Sequence, residues 1–219
     1  MIRGILFDLG GTLIEGGDPA EVIESFLSEE GISKTRQEIA TAVSRAERSF
    51  AEDDFIGTGF WKEWNVRVLT NLGVVSHRER LASKIDSEWF KRAQVRPFPE
   101  VVEVLRQLRQ KGLKLGAVTN GMNTDIPHLI DDAGLGEFLE FRVSADSAGR
   151  RKPNPRIFLH AARAITLHPS NVLFVGDDPD LDYYPSQSVG MVPVLVSRKG
   201  GETLVKNVIH DLTGIWGFL

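Results

Sequence analysis

Cysteine is absent from the 219 residues, which excludes disulfides, thiolate metal sites and cysteine nucleophiles and leaves nothing pointing to an oxidising compartment. Long apolar runs are missing too. No stretch approaches the roughly 20 residues that a membrane-spanning helix needs, and the opening Met1-Ile2-Arg3-Gly4-Ile5-Leu6-Phe7-Asp8 has an apolar run too short for a signal peptide. There is no excess of positive charge. With 26 Lys and Arg against 30 Asp and Glu, the formal charge is -4, and the main electrostatic reason to bind nucleic acid falls away. The expectation is a cytoplasmic monomer or homodimer with no membrane and no nucleic acid as partner. Small anions must then be attracted by a local site.

What is present is ordinary globular composition, 42% apolar and 26% charged, in a chain long enough for one large α/β domain or a core carrying a smaller partner. Short apolar runs at Gly4 to Leu9, Leu113 to Thr119, Phe141 to Ser144, Val172 to Val175 and Val192 to Val196 read as strands, with helix-like segments between them. That alternation implies right-handed crossovers and a doubly wound, parallel, Rossmann-like α/β sheet covered on both faces.

Between the first two strands the helical period takes over, with room for about four helices. Asp18-Pro19-Ala20-Glu21 combines an N-cap, a proline at the first helical position and an acid three residues after the cap, and Gly31 can end that helix. Thr35 with Glu38, and Ser76 with Glu79, repeat the capping-box pattern. Val22, Phe26, Ile39, Val43, Ala46, Leu81, Ile85 and Trp89 fall on one face of their respective helices. An all-helical insert over 15–95 therefore interrupts a core built from 1–14 and 96–219, with Arg96-Pro97-Phe98-Pro99 as the return hinge.

Four polar segments sit at strand ends, where the carboxyl ends of a parallel sheet converge on one crevice. Asp8, followed by Gly10 and Gly11, suits a nucleophilic carboxylate on a tight turn. Val118-Thr119-Asn120-Gly121 offers a hydroxyl and an amide for anionic oxygens. Lys152-Pro153-Asn154-Pro155 puts a lysine before a helix start, able to neutralise developing charge. Gly176-Asp177-Asp178-Pro179-Asp180-Leu181-Asp182 concentrates four acids that repel one another unless a cation or solvent relieves them. Taken singly, each segment has a plain structural reading: a cap, a turn, a solvated lysine and an acidic loop.

In this order, with a helical insert after the first and with the phrases Lys-Pro-Asn-Pro-Arg-Ile-Phe and Ser-Val-Gly-Met, the four segments resemble the motifs of the haloacid dehalogenase (HAD) superfamily over nearly the whole chain. The resemblance implies a Mg²⁺-dependent hydrolase of a small phosphorylated metabolite, with the helical insert as a cap domain. Asp8 matches the nucleophile that forms a phosphoaspartyl intermediate in the phosphatases. Thr119 and Lys152 match residues that bind the phosphoryl oxygens, and Asn120 matches the neighbouring amide. Asp8, the Gly10 carbonyl and Asp177 match the metal ligands, with Asp178 and Asp182 as supporting acids.

The pattern breaks at Gly10. Family phosphatases carry an Asp there, which protonates the leaving oxygen and later activates water. The implied hydrolase is therefore weakened or altered, with the proton moved by water, substrate or a cap residue. A silent member that binds a phosphorylated ligand or partner is the alternative. Related dehalogenases have Tyr at this position and phosphonate-cleaving members Ala, so 2-haloacid dehalogenation and phosphonate cleavage remain further alternatives. The acids argue against the former, and the latter needs a cap lysine, for which Lys34, Lys62, Lys84 and Lys91 qualify by location. The segment Glu52 to Gly59 matches a cap loop that dips toward substrate in relatives. Trp61 and Trp64 read as cap core, and the five histidines form no ligand spacing.

Overall fold

The computed structural model describes residues 1–51, 56–198, 200 and 203–219. They fall into two compact units, one of 1–15 with 95–219 and one of 16–94.

In the first unit, six parallel strands form one sheet. They are β1 (Gly4–Phe7), β4 (Lys114–Val118), β5 (Phe141–Val143), β6 (Val172–Gly176), β7 (Val192–Val196) and β8 (Val208–Ile209), in the spatial order β5-β4-β1-β6-β7-β8. Strand β1 is central and pairs with β4 through Phe7↔Ala117 and with β6 through Phe7↔Val175. The apolar strands alternate between two buried faces. Ile5, Phe7, Leu115, Leu173 and Val175 pack with Val104, Leu105 and Leu108 of α5 (Val101–Gln110). Leu6, Val172 and Phe174 pack instead with Ile157, Phe158 and Ala161 of α7 (Pro155–Ala164). Both sides of the period-2 pattern are thus covered, the doubly wound arrangement that continuous apolar strands require. Phe158 and Phe174 meet edge to face at 4.8 Å, both fully buried, and each such side chain contributes roughly 1.5–3 kcal/mol through burial.

Two features carry little sequence signal. The edge strand β8 is two residues long, too short for a periodicity. A two-residue antiparallel ribbon pairs β2 (Ile14–Glu15) with β3 (Arg96–Pro97), where the chain leaves the sheet unit and returns, and Arg96 reaches Glu15 at 2.8 Å. The Arg96-Pro97 segment is therefore paired strand as well as connection.

The second unit has four helices, α1 (Pro19–Glu29), α2 (Arg36–Ala51), α3 (Phe60–Asn71) and α4 (Arg78–Ala93). Each packs on the next, and α4 returns to α1. Asp18 caps α1 by accepting from the Ala20 N–H, and Gly31 follows it at φ 70. Thr35 and Glu38 form the reciprocal box that starts α2. The expected box at Ser76 is not what starts α4: His77, at φ 54, precedes the helix without a side-chain cap bond. Trp64 is buried in the helical-unit core, stacks edge-on with the half-buried Trp61 at 5.9 Å and meets the half-buried Trp89 at 6.4 Å. Of the segment Glu52 to Gly59, residues 52–55 lie outside the described residues. No described helix is long and apolar enough to cross a membrane.

Candidate active site

Asp8 follows β1 directly and is held in line by its N–H to the Val175 carbonyl, 2.9 Å. The chain then turns tightly, with the Leu9 carbonyl accepting from Thr12, Leu13 and Ile14. Gly11 sits at φ 73, and a Cβ there would lie 2.7 Å from the Asp177 carboxyl carbon. Only glycine lets the turn and that carboxylate approach so closely. Gly176 plays the same part for Asp182, because its missing Cβ is the space that the Asp182 side chain occupies.

Three carboxylates converge as a result. Asp8, Asp177 and Asp182 offer oxygens that lie within 4.8 Å of one another. Lys152, buried in the loop before α7, donates to Asp8 Oδ1 and to Asp182 Oδ1, the second at 2.7 Å. Burial works against the Lys152 charge, yet Asp182 and Asp8 outweigh it and hold its pKa above the ordinary lysine value. One ammonium does not balance three acids. Burial pushes the Asp8 carboxyl up, with Lys152 opposing and Asp177 adding to the rise. Burial and Asp182 push Asp177 up to about 6, and burial, opposed by Lys152, brings Asp182 to about 6. Asp177 keeps an exposed edge toward solvent. An all-oxygen donor set with a surplus of negative charge fits a hard divalent cation.

Asp178 stands apart from this group. Its Oδ1 accepts from the Asp180 and Leu181 N–H groups, capping the wide helical turn Pro179–Tyr183. That turn carries Asp182 back over Gly176, where its Oδ2 accepts from the Asp178 N–H at 3.3 Å. Asp178 thus supports the crevice through backbone geometry, while Asp182 is the acid of this run engaged by Lys152.

Thr119 directly follows β4, the neighbour of β1, and is buried, with its Oγ1 accepting from the Gly121 N–H at 3.0 Å. The Asn120 side chain is engaged with the lysine loop. Its Oδ1 accepts from the Lys152 N–H at 2.6 Å and its Nδ2 donates to the Lys152 carbonyl at 3.1 Å, clamping the lysine's backbone. The Asn120 side chain thereby grips the residue that carries the ammonium. Gly10 is exposed, and a Cβ there would meet nothing within 4 Å. Of the lysines named for Schiff-base chemistry, Lys84 pairs with Glu29 at 2.9 Å and Lys34 lies 3.8 Å from Glu38.

Two contributors carry no role in the sequence reading. Gly176 is recognisable only once Asp182 is seen to cross it. Arg198, two residues beyond β7, reaches the carbonyls of Gly11 and Thr12, and nothing in its neighbourhood of sequence announces that contact.

A doubly wound parallel sheet with an aspartate at the end of its central strand, a lysine bridging two acids and a third acid alongside is the arrangement of a HAD-type hydrolase. A family model described as haloacid dehalogenase-like hydrolase matches residues 2–190, and the chain belongs to that family. It is 29% identical over 215 residues to a glyceraldehyde 3-phosphate phosphatase of Methanopyrus kandleri, covering 90% of this chain and 85% of the relative. A 2-haloacid dehalogenase of Pseudomonas syringae superposes with a TM-score of 0.72 at 27% identity, over 99% of this chain and 97% of that one. The magnesium-bound HAD hydrolase YfnB of Bacillus subtilis superposes with a TM-score of 0.83 at 19% identity, again over 99% and 97%; at that identity the likeness speaks for the fold.

Proposed function

We propose that this hydrolase is a Mg²⁺-dependent phosphatase of a small phosphorylated metabolite, working through an aspartyl-phosphate at Asp8, with the helical unit of 16–94 as its cap. The observation that carries the reading is the imbalance in the crevice: three carboxylates around one ammonium, with a nucleophile-type acid at the end of the central strand. A dianionic phosphate ester approaches such a site only if a cation offsets the acids. Asp8, Asp177 and the Gly10 carbonyl would hold that cation, with the buried Asp182 close by. When bound, the ion supplies charge neutralisation for the phosphoryl oxygens.

The chain's own residues do the rest. An Asp8 carboxylate oxygen attacks phosphorus and the bond to the leaving oxygen breaks. Lys152 offsets charge on the phosphoryl group, and Thr119 hydrogen-bonds one of its oxygens. Water then attacks the phosphorus, the bond to Asp8 breaks, and inorganic phosphate leaves with the carboxylate restored. Gly10 can neither give a proton to the leaving oxygen nor take one from the attacking water, so the leaving oxygen takes its proton from water or from the substrate itself and the attacking water releases its proton to solvent. Turnover is therefore slow for poor leaving groups.

The same vacancy of function at Gly10, together with the dehalogenase similarity, supports a second reading as a 2-haloacid dehalogenase. In that chemistry Asp8 displaces halide and forms an ester. One experiment separates the two. The purified protein is assayed with acetyl phosphate, p-nitrophenyl phosphate and glyceraldehyde 3-phosphate with and without Mg²⁺, and with 2-chloropropionate for halide release, alongside Asp8→Asn. Mg²⁺-dependent phosphate release that Asp8→Asn abolishes supports the phosphatase. Halide release without metal overturns it. Retained phosphatase activity in Asp8→Asn removes the covalent mechanism.

A further inference from the structure

The turn that presents Asp8 has an unusual economy of support. It contains Gly10 and Gly11 in succession, the residues with most backbone freedom to lose, and no side chain touches the Cβ position of Gly10. Three of its backbone N–H groups, those of Thr12, Leu13 and Ile14, converge on the Leu9 carbonyl, and the Gly11 N–H donates to the Ile14 carbonyl at 2.9 Å. The carbonyls of Gly11 and Thr12 face outward from that arrangement and are taken up by a residue from the far end of the sequence. Arg198 donates from Nε to the Gly11 carbonyl at 3.2 Å and from one terminal nitrogen to the Thr12 carbonyl at 2.6 Å. Its other terminal nitrogen pairs with Glu100 at 2.8 Å, and its guanidinium carbon lies 3.5 Å from the centre of the Phe98 ring. Its side chain is 14% exposed.

Each of these contacts anchors the guanidinium to something that is itself fixed. Phe98 donates its N–H to the Leu13 carbonyl at 3.0 Å, just beyond the turn. Glu100 also accepts from the Leu212 N–H at 3.2 Å, which ties it to the C-terminal segment. Ser197, next to Arg198, donates to the Ile209 carbonyl at 2.8 Å, so the arginine's own backbone is secured to the sheet edge. The planar fork grips two successive carbonyls, an acid and an aromatic face at once. Lysine, a point charge on a flexible stem, cannot reproduce that set.

We propose that Arg198 is a positioning residue for the reaction: it locks the Leu9 to Thr12 turn so that the Asp8 carboxylate is held at a fixed distance and angle to its target. The proposal rests on Asp8 as the nucleophile of the proposed function. Arg198 touches neither substrate nor any reacting atom; it acts through the backbone that Asp8 precedes. A misplacement of the nucleophile by about 1 Å costs on the order of 10²-fold in rate, so the effect belongs in kcat.

The test compares Arg198→Lys and Arg198→Met with wild type by two readouts, hydrogen–deuterium exchange of peptides spanning 9–14 and steady-state kinetics on p-nitrophenyl phosphate. Arg198→Lys keeps the stem and the charge toward Glu100. It is expected to fold with a melting temperature close to wild type, to exchange at least about tenfold faster in 9–14 while peptides of β1 and β6 are unchanged, and to lose about tenfold in kcat with KM within about threefold. Arg198→Met is expected to extend both effects, toward about 100-fold in kcat. Unchanged exchange in 9–14 in a folded Arg198→Lys protein overturns the proposal, as does a kcat within about twofold of wild type. Global loss of exchange protection in both variants, with no local excess in 9–14, also overturns it, because Arg198 would then be a general structural tie. Exchange is measured whether or not the protein turns over phosphate esters. Failure of the phosphatase reading, seen as no Asp8-dependent turnover in wild type, is thereby distinguishable from failure of the positioning role.

Discussion

Gly10→Asp places a carboxylate two residues after Asp8, where the family's phosphatases carry their acid and base. The position accepts it: a Cβ meets nothing within 4 Å, Gly10 is exposed, and its φ is not among the positive ones. Replacing a glycine at a compatible φ removes unfolded-state freedom worth about 0.4–1 kcal/mol. Against that, a fourth acid joins a crevice in which Asp177 and Asp182 already sit at about 6. The net change in stability is expected within about 1 kcal/mol of zero. General acid–base catalysis is worth typically 10²–10⁴-fold, and an untuned carboxylate recovers only part of it, so turnover of glycerol phosphate should rise at least about tenfold, about 1.4 kcal/mol of barrier. Acetyl phosphate, whose leaving group needs little protonation, should gain much less. Phosphate release from both substrates, measured at saturating Mg²⁺ with metal binding followed by calorimetry, is the assay. Equal gains on the two substrates, or no gain on either while the metal still binds, would refute the proton-transfer account of Gly10.

Asp177→Asn removes one of three crowded acids whose pKa is raised, so the metal-free protein should be as stable as wild type or more so, while Mg²⁺ binding weakens at least about tenfold. A fall in metal-free melting temperature without loss of metal affinity contradicts the charge argument. Asn120→Ala breaks both bonds to the Lys152 backbone and should cost about 1–3 kcal/mol in denaturant titration. It should lower kcat more than it raises KM, whereas a pure KM effect would make Asn120 a substrate contact. Glu29, bonded to Arg92 and Lys84, has its carboxyl lowered to about 2 from 4.5. Its contribution is present above pH 4.5 and lost as pH falls toward 2, so the melting gap between wild type and Glu29→Gln should close over that window and should shrink in high salt.

The sheet and the helical unit were largely legible because they obey local rules. Continuous apolar runs of about five residues mark strands buried on both faces, and Asp18-Pro19 and the Thr35-Glu38 box announce helix starts through their own side-chain chemistry. What escaped was non-local. The two-residue strands β2, β3 and β8 exist through their partners rather than through any period of their own. Ser76 had a capping-type side chain, yet His77 in the left-handed region sets where α4 begins.

At the site the same division runs between residue type and residue partner. Asp8, Thr119, Lys152 and the acidic run could be picked out by type, because each lies at the end of an apolar strand or before a helix. Type alone did not reveal that Asn120 would spend both polar atoms on a backbone 32 positions later. The register of the acidic run, in contrast, had a readable clue. Asp178-Pro179 repeats the cap-then-proline pattern of Asp18-Pro19 and Asn154-Pro155, and in all three the first residue accepts from the N–H two positions on. A carboxylate committed to capping cannot also face a cation with the same oxygen. The turn it caps advances the chain until Asp182 lies over Gly176. Which acid of this run joins Asp8 on Lys152 is therefore chosen by a capping preference four residues earlier, and any substitution that disables the Asp178 cap should disturb Lys152 through Asp182.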